Sequence, residues 1–446
     1  MSKTIKLCKG LDIKLQGAAV KETTAVGMAS TYAVSPLDFE GIVPKMLVKV
    51  GDAVKAGSPL FFNKNNASVI FTSPVSGTVA AVVRGEKRRI LAVEIAADST
   101  VAYEEFETLD VKSATRDQIV ELLLKSGLWT LLIQRPYGII ANPADMPKSI
   151  FVSAFDSAPL APDYGYTLAE DKQALQKGFE VLGRLTEGKV HLSYNAKQAA
   201  PAFAGVELHA FQGKHPAGNV GVQIHHIDQI NKGEKVWALN IQDVAILGRL
   251  FLTGKVDMTR VIAVAGSCVA EPKYYRVVAG ASIASLLNGN LSNEHARVIS
   301  GNVLTGRNVG KEGFLGVNAN MLTVIPEGDE YELLGWAMPR FKKFSVSRAY
   351  FSWLFPWKKY NLDTNLNGGE RAFVMNDLYE KYLPMDLYPV HLIKACLAGD
   401  LDKMENLGIY EVVEEDLALC EFVCPSKIEI QQILRNGINT MIKEEE

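Results

Sequence analysis

The spacing of apolar residues changes along the chain, and this change limits the folds that the chain can adopt. Between residues 42 and 95, apolar and polar residues alternate in short runs that end at turns such as Gly51-Asp52, which is typical of β-strands. From residue 113 to 255, helical patterns such as 172–184 alternate with short apolar runs such as 150–155, as in an open α/β sheet. The sequence therefore predicts an α/β multidomain protein.

The remaining parts of the chain extend this prediction. Residues 115–132 and 244–252 have helical patterns, and Gly254 is placed to stop the second helix. Residues 256–330 are rich in strand patterns. Residues 375–446 have a helical pattern that prolines interrupt, which predicts a helical C-terminal domain.

The composition is that of a soluble globular protein. A chain of 446 residues with 48% apolar and 22% charged residues is expected to form about three or four domains. The net charge of −3 predicts no nucleic-acid partner, because no broad basic face is implied. The five cysteines do not form a disulfide framework, which favours a reducing cytosol. No apolar run approaches the roughly 18 residues of a membrane span, and residues 1–6 do not resemble an export signal.

Residues 47–61 and 72–79 both contain short strands around glycine turns, a pattern that resembles the barrel-sandwich fold of biotinyl and lipoyl carriers. In those carriers a modified lysine precedes the proline of the second run, and that position is Asn66 here. The nearby Lys64 is out of register. We therefore predict an unmodified structural domain, and Asn66 argues against a biotin carrier of a Na⁺-coupled decarboxylase.

The segment from Cys420 to Pro425 has the Cys-x₃-Cys-Pro spacing that ends the ligand run of a bacterial ferredoxin. The first two thiolates of such a run would stand at Glu414 and Leu417, and neither side chain binds iron as a thiolate does. A second run that ended at Leu383-Pro384 would also lack cysteines, at Phe373, Asn376 and Tyr379. We predict a helical ferredoxin-like domain without clusters.

The other cysteines and the histidines do not form a recognisable metal-binding motif. Zinc shared by Cys420 and Cys424 would need a second pair of ligands, which Cys8, Cys268 and Cys396 do not supply. Four histidines lie close in sequence without the spacing of a zinc-binding helix: His209, His215, His225 and His226. His215 precedes a turn, so a structural role is favoured for it. We predict no catalytic, cofactor-binding or metal-binding residue on this chain.

The order of these parts resembles one protein family nearly from end to end. The specific matches are residues 71–77, 126–130, 215–218, 242–244, 252–254, 335–339 and 343–348. Together they resemble the A subunit of the Na⁺-translocating NADH:quinone oxidoreductase (Na⁺-NQR). A more distant resemblance is to the C subunit of the Rnf complex and to the flavin-binding subunit of respiratory complex I.

The resemblance implies five regions. They are an N-terminal segment with a barrel-sandwich domain (1–110), an α/β domain similar to a flavin-binding fold (111–255), a small β-grasp domain (256–330), an aromatic and basic connecting segment (331–374) and the ferredoxin-like helical domain (375–446). In the flavin-binding relatives a glycine-rich loop lets the backbone approach the flavin phosphate. The corresponding run here, residues 127–136, has large side chains such as Trp129 in place of glycines, so we predict that it holds no flavin.

Residues 340–360 contain six cations and no acid, interleaved with aromatic residues. Aromatic and cationic side chains together suit a membrane interface or an apolar partner, whereas a buried aromatic cluster with lysines at its rim is the alternative. Both interpretations stay open. The candidate docking residues are Trp353, Phe355, Trp357, Lys358 and Lys359.

The resemblance implies a peripheral subunit on the cytoplasmic face of the bacterial inner membrane, within a six-subunit complex that reduces quinone to quinol and exports Na⁺. The complex would use NADH, flavins, iron–sulfur centres and quinone on or between other subunits, chiefly the membrane-embedded ones. This chain would hold no cofactor, with quinone as its one candidate ligand, and would support assembly at the quinone end. The alternative is an Rnf-type NADH dehydrogenase subunit, which needs a glycine-rich loop and cysteines that this chain lacks.

Overall fold

The computed structural model describes residues 4–330, 332–338 and 340–445. These residues form four β-sheets and a C-terminal group of helices. Pro339 of the motif at 335–339 and the first three residues lie outside the described residues. The strands are β1 (Ile5–Lys6), β2 (Val20–Ala25), β3 (Thr31–Val34), β4 (Pro44–Met46), β5 (Ala53–Val54), β6 (Pro59–Asn63), β7 (Asn66–Thr72), β8 (Gly77–Arg84), β9 (Ile90–Ala97), β10 (Ile133–Arg135), β11 (Ile139–Ile140), β12 (Ile150–Ser153), β13 (Val190–Asn195), β14 (Glu207–Gln212), β15 (Val236–Asn240), β16 (Thr259–Ala265), β17 (Lys273–Val278), β18 (Ala296–Ser300), β19 (Arg307–Asn308) and β20 (Met321–Pro326). The helices are α1 (Arg116–Lys125), α2 (Tyr164–Thr167), α3 (Lys172–Leu185), α4 (Val220–Ile227), α5 (Ile241–Thr253), α6 (Ile283–Leu287), α7 (Pro389–Ala398), α8 (Leu401–Asn406), α9 (Glu414–Val423) and α10 (Ile430–Glu445).

The predicted barrel-sandwich fold is confirmed. One antiparallel sheet has the order β3-β9-β8-β5 and a second has the order β4-β6-β7. Their apolar side chains share one buried cluster, in which the rings of Phe61 and Phe71 stack with centroids 4.6 Å apart. Asn66 pairs with Asn63 at the hairpin between β6 and β7.

The α/β domain contains a seven-stranded sheet of order β1-β14-β13-β12-β15-β10-β11. The strands from β1 to β15 in this order are parallel, and β10 and β11 are antiparallel additions at one edge. Helices α3 and α5 pack closely because Gly248 of α5 has no side chain. A Cβ atom there would lie 1.8 Å from the carbonyl oxygen of Ala174 in α3. The strand predicted at 150–155 and the helices predicted at 172–184 and 244–252 are confirmed.

The helix predicted over 115–132 is shorter than expected. It ends at Lys125 because Gly127 has a left-handed conformation with φ +76°. A short 3₁₀-helix follows over Leu128–Leu131.

The third unit is a six-stranded sheet of order β19-β18-β20-β16-β17-β2, with α6 packed into its buried cluster. The N-terminal segment joins two sheets outside the barrel-sandwich, because β1 pairs with β14 and β2 pairs with β17. The sequence predicts that this segment accompanies the barrel-sandwich domain. Local periodicity could not show that its strands pair with distant ones.

The C-terminal helices α7 to α10 surround their own buried cluster, which confirms the predicted helical domain. Tyr137 and Val222 of the α/β domain belong to the same cluster, so this domain packs directly on the seven-stranded sheet region. Within the described ranges, the structure contains no helix that is both long and apolar enough to cross a membrane.

Candidate functional site

A cleft of about 700 Å³ lies where the carboxyl ends of β12 and β15 meet the other domains. The chain continues from β12 to β13 on one side of the sheet, and β15 lies on the other side, so this is the topological switch point of the sheet. Ligands of open α/β proteins bind in this position. Asp38, Ser153, Asn240, Asn302 and Glu414 contribute to the walls of the cleft, which all four units line.

Two acids of the cleft wall, Asp156 and Asp243, have raised pKa values. Burial raises the pKa of Asp156, which accepts a hydrogen bond from the backbone N–H of Ala158 at 2.8 Å. Burial also raises the pKa of Asp243, although the guanidinium of Arg260 lies 2.9 Å from its carboxylate. Burial therefore disfavours the ionised form of both carboxyl groups, and a ligand that donates hydrogen bonds would stabilise that form.

His215, the residue for which the sequence favours a structural role, is buried in the wall of this cleft. Burial lowers its pKa to about 4, so the ring is neutral at pH 7. Its Nδ1 lies 3.1 Å from Ser157 Oγ, and its Nε2 has no hydrogen-bond partner among the described residues. Asp12 bonds to the backbone N–H of His215 and not to the ring. The serine–histidine pair thus lacks the orienting carboxylate of a nucleophilic triad.

A buried arginine joins the α/β domain to the C-terminal helices at the edge of the cleft. Arg135 Nη1 lies 3.0 Å from Asp416 Oδ2, and Nη2 bonds to Glu415. Burial raises the pKa of both acids, and Arg135 opposes both shifts. Asp416 also lies at the first turn of α4, where a Cβ atom on Gly221 would be 2.4 Å from its oxygens. An arginine and a helix N-terminus could bind a phosphate, and here a carboxylate of the same chain occupies that position.

The run at 127–136 does not fit a flavin. Trp129 is fully buried, donates a hydrogen bond from Nε1 to the carbonyl of Ala141 at 2.7 Å and packs edge-to-face on Trp237. A flavin phosphate needs an open glycine backbone at this position. This run presents the bulky buried side chain of Trp129 instead, and Gly127 is itself closed in by Thr72 of the barrel-sandwich.

The ferredoxin-like positions do not fit a cluster either. Cys420 and Cys424 are buried free thiols, and burial raises the pKa of Cys420. The hydroxyl of Tyr379 donates a hydrogen bond to Cys424 Sγ at 2.9 Å. In two-cluster ferredoxins the fourth cysteine of one run binds the cluster of the other run, so Tyr379 and Cys424 would belong to one site. Tyr379 and Leu417 are both fully buried in the core of the helical domain, and neither offers the thiolate that a cluster needs at its position.

The segment at 340–360 contains both buried and exposed aromatic residues, so each of the two interpretations, a buried aromatic cluster and an interface, fits part of it. Tyr350 and Tyr360 are buried, and Tyr360 is held by backbone hydrogen bonds to Lys14 and Gln16. Trp353 and Trp357, in contrast, are 52% and 74% exposed.

We call the exposed part of this segment the docking surface. It consists of the aromatic and apolar residues Phe341, Trp353, Leu354, Phe355 and Trp357 with the cations Arg348, Lys358 and Lys359. Phe355 is half-buried and packs edge-to-face on Trp357 with centroids 6.0 Å apart. Arg348 lies over the ring of Trp353, and Lys358 Nζ donates to the carbonyl of Phe341 at 2.7 Å.

The four histidines that are close in sequence do not form one group in the structure. His215 lines the cleft, whereas His225 contacts Glu411 through Nδ1 at 2.7 Å beside the ring of His226. His209 instead faces His191 and Glu207, a group that motif spacing in the sequence does not reveal. Alternation along β14 places Glu207 and His209 on one face, but it does not show that His191 of β13 faces them.

The barrel-sandwich, the open α/β domain and the helical C-terminal domain around one cleft define a class of multidomain α/β proteins. Family models assign three regions: residues 5–98 match the NqrA N-terminal barrel-sandwich hybrid domain, residues 114–256 match the NqrA second alpha/beta domain, and residues 261–311 match the NQRA C-terminal domain. The chain belongs to the NqrA family, the A subunits of Na⁺-translocating NADH-quinone reductases.

Curated relatives of that name cover nearly the whole chain. The protein of Alcanivorax borkumensis is 40% identical over 98% of this chain and 99% of its own length. The protein of Hahella chejuensis is 40% identical over 99% of this chain and 100% of its own length, and that of Yersinia pestis bv. Antiqua is 39% identical with the same coverage. Among solved structures, an NAD⁺-reducing nickel–iron hydrogenase in the H₂-reduced state has a TM-score of 0.39 and 12% identity, covering 75% of this chain and 62% of its own. That likeness is too low to support an argument.

Proposed function

We propose that this chain is the peripheral, cofactor-free subunit of a sodium-pumping NADH:quinone reductase, at the cytoplasmic face of the bacterial inner membrane. The relatives are named for a Na⁺-translocating NADH-quinone reductase, and the activity of the complex is proposed on that basis. Flavins, iron–sulfur centres and the NADH site would belong to other subunits. The buried Trp129 and Tyr379 support this division, because they stand in this sequence where a glycine of the flavin loop and a cluster-binding cysteine would be expected.

The observation that carries the proposal is the docking surface. Exposed aromatic side chains cost free energy in water, and they contribute strongly when a partner buries them. Here Trp353 and Trp357 are exposed beside cations that suit lipid headgroups or acidic residues of a partner. We propose that the membrane-embedded subunits of the six-subunit complex cover this surface and that this chain supports assembly at the quinone end. The missing glycine-rich loop supports this role over that of an Rnf-type dehydrogenase subunit.

The experiment is a double substitution, Trp353→Ala with Trp357→Ala. Each change is expected to remove about 2–4 kcal/mol of binding free energy, since buried tryptophans are frequent interface hot spots. This corresponds to a roughly thirtyfold to nearly thousandfold loss of affinity per site. The variant should keep the melting temperature of the isolated wild-type chain and should no longer copurify with the membrane subunits.

A matched control replaces two exposed apolar residues outside the surface, Tyr388→Ala with Leu397→Ala, and should leave copurification unchanged. If the Trp353/Trp357 variant copurifies as the control does, the docking role is wrong. If it melts much earlier than the wild type, the tryptophans stabilise the fold instead and the proposal is also wrong.

A further inference from the structure

His191, Glu207 and His209 come together on one face of the seven-stranded sheet. Strands β13 and β14 are parallel neighbours, with His191 opposite Glu207 and Ser193 opposite His209. Because successive side chains of a strand point to opposite faces, His191, Glu207 and His209 share a face. The ring of His191 stacks on Phe151 of β12 with centroids 4.7 Å apart, which fixes its orientation.

The distances are close to those of a metal site. His191 Nδ1 lies 2.9 Å from His209 Nε2, and one donor atom from each of the three residues lies within 4.8 Å of the others. Two nitrogens bound to a tetrahedral zinc ion at about 2.0–2.1 Å are roughly 3.3 Å apart. The two imidazoles therefore need to separate by only a few tenths of an ångström to admit an ion.

The protonation states also suit a cation. Burial lowers the pKa of His191 to about 4 and also lowers that of His209, so both rings are neutral and each has a lone pair at pH 7. A hydrogen bond from Lys189 lowers the pKa of Glu207, which keeps the carboxylate ionised. Lys189 Nζ contacts Oε2 of that carboxylate at 2.6 Å, so an incoming ion would compete with an ammonium group.

We propose that His191, Glu207 and His209 form a binding site for a late first-row divalent metal ion, with Zn²⁺ as the preferred ion. Two imidazole nitrogens and one carboxylate oxygen are the donors that Zn²⁺ takes in proteins. Glu207 is 42% exposed, so the fourth coordination position opens to solvent. The bound ion would join β13 to β14 one strand inside the edge strand β1.

The site is tested by titrating ZnCl₂ into the full chain, freed of metal with a chelator, in an isothermal titration calorimeter. The wild type should bind one equivalent of Zn²⁺. His191→Gln and His209→Gln should each weaken binding at least tenfold, because loss of second-shell support alone typically costs about 10–100-fold and loss of a direct ligand should cost no less. The matched control is His391→Gln, an exposed histidine outside the group, which should bind as the wild type does.

A fourth variant keeps the proposal falsifiable if the histidine variants are unstable. Lys189→Met frees the carboxylate and removes a like charge, so it should bind Zn²⁺ more tightly than the wild type. The proposal is overturned if the wild type binds no Zn²⁺ at micromolar concentration. It is also overturned if both histidine variants retain wild-type affinity, which would mean binding elsewhere, or if Lys189→Met binds more weakly.

Discussion

His215 shows how one buried side chain makes stability depend on pH. Its ring lies in the wall of the cleft, and burial lowers its pKa from the ordinary value near 6.5 to about 4. Between these two values the unfolded chain binds a proton that the folded chain does not bind. The stabilising effect of the neutral ring is therefore present above pH 6.5 and is lost as the pH falls towards 4.

We predict that His215→Gln reduces the loss of stability between pH 7 and pH 4.5. Glutamine keeps a polar side chain but does not titrate, so the variant lacks this contribution to the pH dependence. The measurement is the urea midpoint of each protein at the two pH values, compared as a difference between proteins, because other groups titrate in both. Equal losses in the variant and the wild type would show that His215 does not contribute.

At the residue scale the sequence predicts which cofactor ligands are missing but not what takes their place. Glu414, Leu417 and Tyr379 are recognised as non-ligands from spacing alone. That the Tyr379 hydroxyl binds Cys424 Sγ could not be predicted, since the contact joins two distant segments whose packing no local pattern encodes. That Trp353 is exposed while Tyr350 is buried could not be predicted either, because a run of mixed aromatic residues gives both the same sequence signal.

At the scale of elements, the contact of β10 with α9 depends on one cation between two acids. We predict that Arg135→Met destabilises the chain by about 3–5 kcal/mol, because Asp416 is left as a buried charge without its partner. The matched control is Arg276→Met, whose partner Glu170 is 80% exposed and whose loss should cost about 0–1 kcal/mol.

Urea unfolding at pH 7 measures both Arg→Met variants. The effect of Arg135→Met should shrink as the pH is lowered, since burial raises the pKa values of Glu415 and Asp416 and a neutral acid no longer needs the partner charge. Similar free energies of unfolding for the two variants at pH 7 would contradict the assigned role of Arg135.

Element types were predictable because periodicity is local, and element partners were not. The helix α3 and the strand β12 follow from apolar spacing, and Gly254 ends α5 in a left-handed conformation as expected. The facing of His191 and His209 depends on the register between β13 and β14, which only the assembled sheet determines. The candidate metal site was therefore invisible to motif spacing.

At the scale of the whole molecule, we predict that the isolated chain contains neither iron nor flavin. By the sequence resemblance, Trp129 stands in the run that corresponds to the flavin loop and Tyr379 at a cluster-ligand position, and both side chains are fully buried. The measurement is elemental analysis of iron and fluorescence of acid-extracted flavin, on protein purified anaerobically. Near-stoichiometric iron or flavin would contradict the proposed role as a cofactor-free subunit. Bound zinc would not contradict it, because zinc belongs to the separate proposal for His191, Glu207 and His209.

The attachment of β1 and β2 to distant sheets has a consequence for synthesis on the ribosome. These strands are made well before their partners at Phe211 and Lys273. The barrel-sandwich can fold meanwhile, since domains generally fold as units during translation. Until their partners are made, β1 and β2 must not pair with strands of other chains. The exposed residues of β2 include Lys21 and Glu22, and charged side chains of this kind protect an unpaired strand from aggregation. Both strands thus stay without their sheet partners while about 200 or more further residues are made.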